Sequence, residues 1–173
     1  MNSTEYIALI IIVALVTFVF VISGINRIKK KNKKRQLTAE FDHFAIKNNL
    51  AIDKKQTLNN NIIGIDRLNM KVIFLNNSDT KGEFHLIELN DLAACQLIKQ
   101  KNSSTGHISK IFLKCIFLQK SRAPIELPFY DEMKDDIYKM MRLSKKALYW
   151  VKSINIFRES ARLSMGKMPS VQN

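Results

Sequence analysis

The side chains able to do chemistry are few and scattered. Cys95 and Cys115 are the only cysteines, and His43, His85 and His107 the only histidines. Neither type shows metal-ligand spacing, among themselves or toward each other, so no zinc framework is expected. Two isolated cysteines on strand-like segments read as small buried hydrophobes, and each histidine as a structural or surface group. One acidic cluster is denser: Asp131, Glu132, Asp135 and Asp136 follow directly on Tyr130. Paired carboxylates are the raw material of acid–base catalysis. The same cluster precedes a helical pattern, where carboxylates suit the positive end of the helix dipole, and that is the reading adopted. The five glycines are isolated and form no phosphate-binding loop. Without a nucleophile, base or metal set in mutual reach, no enzyme and no cofactor are expected; an enzyme with an unrecognised site ranks last among the alternatives.

The elements around these residues begin with an apolar run from Tyr6 to Ile25, followed at once by Arg27, Lys29, Lys30, Lys31, Lys33, Lys34 and Arg35. About 20 apolar residues in a helix match a hydrocarbon core of about 30 Å. A signal peptide would carry its positive charges before the run, and residues 1–5 contain no Lys or Arg. The expectation is a single-pass inner-membrane protein: 1–5 an external tail, 6–26 a transmembrane helix, 27–36 a basic stop that fixes topology. The positive-inside rule then places the rest in the cytoplasm.

The net charge of +13 divides unevenly. Residues 27–35 hold seven of the 28 basic residues, and 36–173 carry 21 basic against 14 acidic, a net of +7. The second part is a moderately basic domain. The cluster gives no sign of specific nucleic-acid binding, and anionic lipid headgroups are its nearer partner.

Residues 37–50 read as an amphipathic linker helix, with Leu37, Phe41, Phe44 and Ala45 on one face. That face packs on the domain that follows or lies in lipid headgroups. It either continues from the first helix or breaks from it, and Asn48-Asn49 ends it. From about Gln56 to Tyr130 short apolar runs alternate with turn residues. Ile62 to Asp66, Lys71 to Asn76, Phe84 to Leu89, Cys95 to Lys101, Ile108 to Gln119 and Ile125 to Tyr130 are expected as strands. Short connections make them an antiparallel meander, and Pro128 marks an edge strand or a strand end. A helix from about Glu132 to Ile154 carries the stripe Met133, Ile137, Met140, Met141, Ser144, Ala147, Leu148, Val151 and Ile154. This stripe, with Trp150, is expected as core. Residues 156–173 read as a frayed basic tail, in which Phe157, Arg158, Arg162, Leu163 and Lys167 are candidates for a secondary membrane contact.

The fold class is therefore α+β, mainly antiparallel β: a bent sheet or partial barrel over 55–155 capped by a C-terminal helix. The strand order, the run Leu86-Ile87-Glu88-Leu89-Asn90-Asp91-Leu92 leading into Cys95-Gln96-Leu97-Ile98, and Ile125-Glu126-Leu127-Pro128-Phe129-Tyr130 feeding the helix carry a likeness. The region resembles the bacterial pleckstrin-homology-like domain, and the whole chain looks like bacterial single-pass membrane proteins bearing one. Phosphoinositide-binding members of that wider superfamily place several basic residues in the first hairpin. Arg67 and Lys71 alone stand there, so the resemblance does not extend to that ligand. The function expected is a membrane-anchored binding or scaffold module that recognises a protein partner, for instance by strand addition at a sheet edge. Sensing of anionic lipid or of the membrane surface is the alternative.

Overall fold

The computed structural model describes residues 3–77 and 82–165; of these, the side chains of 3–16, 19–22, 26, 30, 164 and 165 are not described. Helix α1 is Ser3–Lys47. The chain divides into two units, Met1–Glu40 and Phe41–Asn173.

In the first unit the apolar run and the basic cluster belong to one helix. The transmembrane helix expected over 6–26, and with it the single-pass inner-membrane placement, is corrected: among the described residues no helix is long and apolar enough to cross a membrane. The length criterion reads composition alone, and here the helix does not stop at the basic residues but runs on through them. Of 6–26, the positions whose exposure is described are Thr17, Phe18, Ser23, Gly24 and Ile25. Arg27, Lys29, Lys31, Lys33, Lys34 and Arg35 are exposed, and the Lys30 side chain is outside the described set. Local bonds run along the last turns of this unit, Thr38 Oγ1 donating to Lys34 O at 2.9 Å and Gln36 Nε2 to Glu40 Oε1 at 3.2 Å.

The second unit opens on the end of α1. Asn49, at φ +52°, turns the chain in the left-handed region that Asn tolerates. Leu50 N then reaches Ala45 O at 2.9 Å and Asn49 N reaches Ile46 O at 3.0 Å, the paired bonds of a Schellman stop. Phe41 is fully buried, and Phe44 stacks on Phe84 with ring centroids 4.0 Å apart. The aromatic face at 41–45 thus packs on the sheet.

Seven strands follow: β1 (Lys54–Leu58), β2 (Asn61–Asp66), β3 (Lys71–Asn76), β4 (Glu83–Glu88), β5 (Leu92–Lys101), β6 (Ile108–Phe117) and β7 (Ile125–Asp131). All neighbours are antiparallel. In place of one bent sheet there are two, ordered β1-β2-β3-β4 and β5-β6-β7. The break is a 3₁₀ turn at Leu89–Asp91, where Leu89 and Leu92 are both fully buried. Leu89 N donates to Met70 O and Leu118 N to Asp91 O, each at 2.8 Å, so both sheets grip the corner.

Helix α2 is Ile137–Met165, later at both ends than the pattern predicts. At its start the carboxylates serve a turn instead of a helix. Asp131 Oδ1 accepts from Met133 N at 3.0 Å, and Asp135 Oδ2 from Asp131 N at 3.1 Å. Past residue 154, Ala161 is buried and keeps the helix on the sheet. The buried face is Leu143, Ala147, Trp150, Val151 and Ile154, while Met133, Ile137, Met141 and Leu148 of the expected core stripe are exposed. The core joins this face to Ile63, Ile65, Val72, Phe74 and Ile87 of one sheet and Ile111, Leu113, Leu127 and Phe129 of the other. Cys95 and Cys115 face each other across β5 and β6, buried, with sulfurs 4.0 Å apart. The hydrogen bond with the Cys115 thiol, and after it burial, push the Cys95 thiol far up from its usual value.

α2 also covers strand edges. On β1, Lys146 Nζ donates to Thr57 O at 3.0 Å and Trp150 Nε1 to Gln56 Oε1 at 2.7 Å. On β5, Asn155 accepts from Cys95 N at 3.1 Å and donates to Cys95 O at 2.8 Å. Arg158 donates to Ala93 O, and Arg162 to Leu92 O at 2.8 Å.

A buried carboxylate fixes the β2–β3 turn. Asp66, 1% exposed, accepts from Ala51 N at 2.7 Å, Asn69 N at 2.9 Å and Asn69 Nδ2 at 2.7 Å. Burial alone would raise its pKa, but these bonds, with one from the Leu68 backbone, outweigh it and hold the carboxyl below its usual range. A depressed folded pKa contributes stability that is complete above the unfolded value of about 3.9 and is lost as pH falls through the folded one. Asp66→Asn is expected to lower stability at pH 7 by about 1.5–3 kcal/mol, the worth of bonds to a charged acceptor, and to flatten the loss below pH 4. Urea titrations at pH 7 and pH 3 check both; an unchanged acid slope would refute the assignment.

Candidate functional site: an amide-lined cleft between the two sheets

Three consecutive asparagines, Asn59-Asn60-Asn61, turn β1 into β2. Asn59 takes φ +47°, and its side chain donates to Asp135 in the connector before α2. Asn61 is 7% exposed, and a buried carboxamide must satisfy both of its ends. Its Nδ2 donates to Pro128 O at 3.0 Å and its Oδ1 accepts from Asn77 N at 3.1 Å. One side chain therefore ties β2 to the end of β3 and, across the core, to β7.

These ties hold open a cleft of about 320 Å³. One wall is the asparagine turn with Asn76; the other is β6 and β7, with Gln100 at the rim. Lys110 and Lys134 stand against Glu126, Asp131 and Asp135, so the lining has no cationic excess to attract an anion. Tyr130 lines the cleft and is 3% exposed. Burial first, then the carboxylates of Glu132, Asp135, Asp131 and Asp136, push its phenol up from the usual value, so it stays neutral at pH 7. Among the described residues no group of His, Cys, Asp and Glu is placed to hold a metal ion.

The residues singled out from the sequence lie elsewhere. The basic cluster is on α1 in the first unit. Phe157 packs against the core with the Arg67 guanidinium 4.9 Å from its ring centre. Arg158 and Arg162 are engaged on β5 carbonyls, so neither is a loose surface cation. Leu163 is 68% exposed, and Lys167 lies outside the described residues. Of the acidic cluster, Asp131 and Asp135 reach the cleft. The asparagines went unread because a run of Asn between strands signals a turn and nothing more. The one further signal in the sequence is length: three polar residues are more than a two-residue hairpin loop requires, and the third is the residue that bridges the sheets. No known protein family, curated protein or solved structure matches the chain.

Proposed function

We propose that the chain is a binding module whose cleft takes a short segment of a protein partner. The observation that carries this is a cleft of about 320 Å³ lined by the exposed carboxamides of Asn60 and Gln100, while Asn59 and Asn61 are engaged in holding its walls. A carboxamide offers two donors and an acceptor, the same groups a peptide backbone needs satisfied. The volume is at the lower end of ordinary ligand pockets, enough for one or two residues. Phe112 and Phe129 supply apolar surface for a side chain, and the balanced charges disfavour a purely anionic ligand.

The mode differs from strand addition at β1 or β5. The open sides of both strands are engaged by α2, and β7 carries Pro128, which has no N–H to donate and whose carbonyl is taken by Asn61. The proposal rests on the cleft and not on the resemblance to pleckstrin-homology-like domains, since a fold does not carry a function with it.

Panning the full chain against a random peptide display library tests the proposal. A consensus is expected whose affinity falls at least tenfold in Asn60→Trp, a change at an exposed turn position that fills the mouth of the cleft. Lys47→Ala, at the end of α1 and outside the lining, leaves binding unchanged. Failure to enrich any peptide, or equal binding by Asn60→Trp, would remove the proposal.

A further inference from the structure

We propose that α2 is the interface between two copies of this chain, packed antiparallel about a two-fold axis at Lys152. While one face of the helix is buried in the core, the opposite face leaves Met141 67%, Leu148 45%, Ile156 59% and Leu163 68% exposed. Steps of seven, eight and seven residues keep these four on one stripe of a helix with 3.6 residues per turn. Lys145, Lys152 and Glu159 lie on the same stripe, all within an arc of roughly 80° and all exposed.

A two-fold interface must be self-complementary: if residue i meets j, then j meets i. In an antiparallel helix pair, each residue meets the one equally far on the other side of the axis. With Lys152 on that axis, Met141 meets Leu163, Leu148 meets Ile156, and Lys145 meets Glu159, each pairing occurring twice. Each of these four apolar residues finds an apolar partner, and Lys145 finds a carboxylate. This self-complementarity over 141–163, in hydrophobicity and in charge, is what a second copy of the chain requires. A parallel pairing sets Lys145 against Lys145 and Glu159 against Glu159, so charge selects the antiparallel form. The two Lys152 ammonium groups at the axis are the one unfavourable contact. Their flexible stems lie along the apolar stripe while the charged heads turn outward to water. Glu159 is reached by Arg158 of its own chain at 3.4 Å, yet its side chain is 67% exposed and accessible to a second cation.

The axis gives a test that needs only single cysteines in the full chain. Packed helices lie 8–10 Å apart, which brings residues on the axis within the roughly 7 Å between Cα atoms that a disulfide spans. Lys152→Cys is expected to cross-link into a species of doubled mass under mild oxidation. Lys145→Cys alone is not, because its two copies stand about 14 residues, or roughly 21 Å, apart along the helices. A mixture of Lys145→Cys with Glu159→Cys is expected to cross-link. The wild-type chain is the control, its two cysteines being buried against each other. In parallel, Lys145→Glu is expected to weaken self-association in sedimentation at least tenfold, and Lys145→Glu with Glu159→Lys to restore it. A monomeric Lys152→Cys under oxidation overturns the proposal. So does self-cross-linking of Lys145→Cys to the same extent, which would mean parallel or non-specific association, and so does a wild-type chain that sediments as a monomer with this stripe covered by something else.

Discussion

Replacing Trp150 by Ala is expected to remove most of the stability of the unit 41–173. The indole is fully buried and sits where α2 meets both sheets. Large-to-small changes of this kind cost about 3–5 kcal/mol, because the lost burial is compounded by a cavity that stiff neighbours cannot fill. A domain of this size has about 5–15 kcal/mol in total. The indole N–H also holds Gln56 at 2.7 Å, so the change unties β1 from the helix. Trp150→Phe separates the two effects: it keeps most of the volume, loses the bond, and is expected to cost about 1–2 kcal/mol. Since Trp150 is the only tryptophan, unfolding in urea is followed by circular dichroism. A Trp150→Ala chain within 1 kcal/mol of wild type would show that the helix does not hold the sheets together.

The second large effect comes from adding atoms. Gly64 sits in the middle of β2, and a Cβ built there would lie 2.7 Å from Phe41 Cζ, 3.2 Å from Ile52 Cγ2 and 3.4 Å from Ile73 Cγ2. The first distance is too short for any real contact, and Phe41 is a fully buried ring with little room to turn. Gly64→Ala is expected to cost about 1–3 kcal/mol, and Gly64→Val more, as overpacking in a close-packed interior does. Phe41→Leu in the Gly64→Ala background tests the cause. The smaller side chain relieves the clash, so the double variant is expected to be less destabilised than the two single changes summed. Simple additivity would place the strain elsewhere in β2.

Glycine 64 also marks what was legible in the sequence and what was not. Short apolar runs bounded by turn residues located strands at Ile62 to Asp66 and Lys71 to Asn76, and alternation located the one at Ile125 to Tyr130, because both signals are local. It missed β1, whose KKQTL has one apolar residue and becomes a strand by pairing with β2 and by contact with α2. It drew one sheet where two exist, because the corner at Leu89–Asp91 differs from a strand by contacts to Met70 and Leu118, far away in sequence. The capping helix was visible as amphipathic, but its apolar residues cover more than one face. Trp150 is buried as expected, but composition could not tell that Leu143 points inward while Met141 and Leu148 point out. At the other end of the chain, counting apolar residues over 6–26 suggested an anchor that the helices of the described residues do not support. The cleft was the least visible feature. Its asparagines come from a turn, its carboxylates from a connector about 70 residues later, and only the folded chain brings them to one place.

The side chains of α2 that engage β1 and β5 have a consequence for how the chain is made. All seven strands precede α2 in sequence, so they leave the ribosome first. Until residues 137–165 emerge, the backbone groups of Thr57, Leu92, Ala93 and Cys95 have no cap. Bare strand edges recruit other strands, including those of neighbouring nascent chains on the same message. Synthesis therefore has a period of exposure that closes only when the later turns of α2 emerge. Release of a chain cut short before Asn155 would leave the β5 edge permanently available, a product expected to be found in inclusion bodies and bound to chaperones.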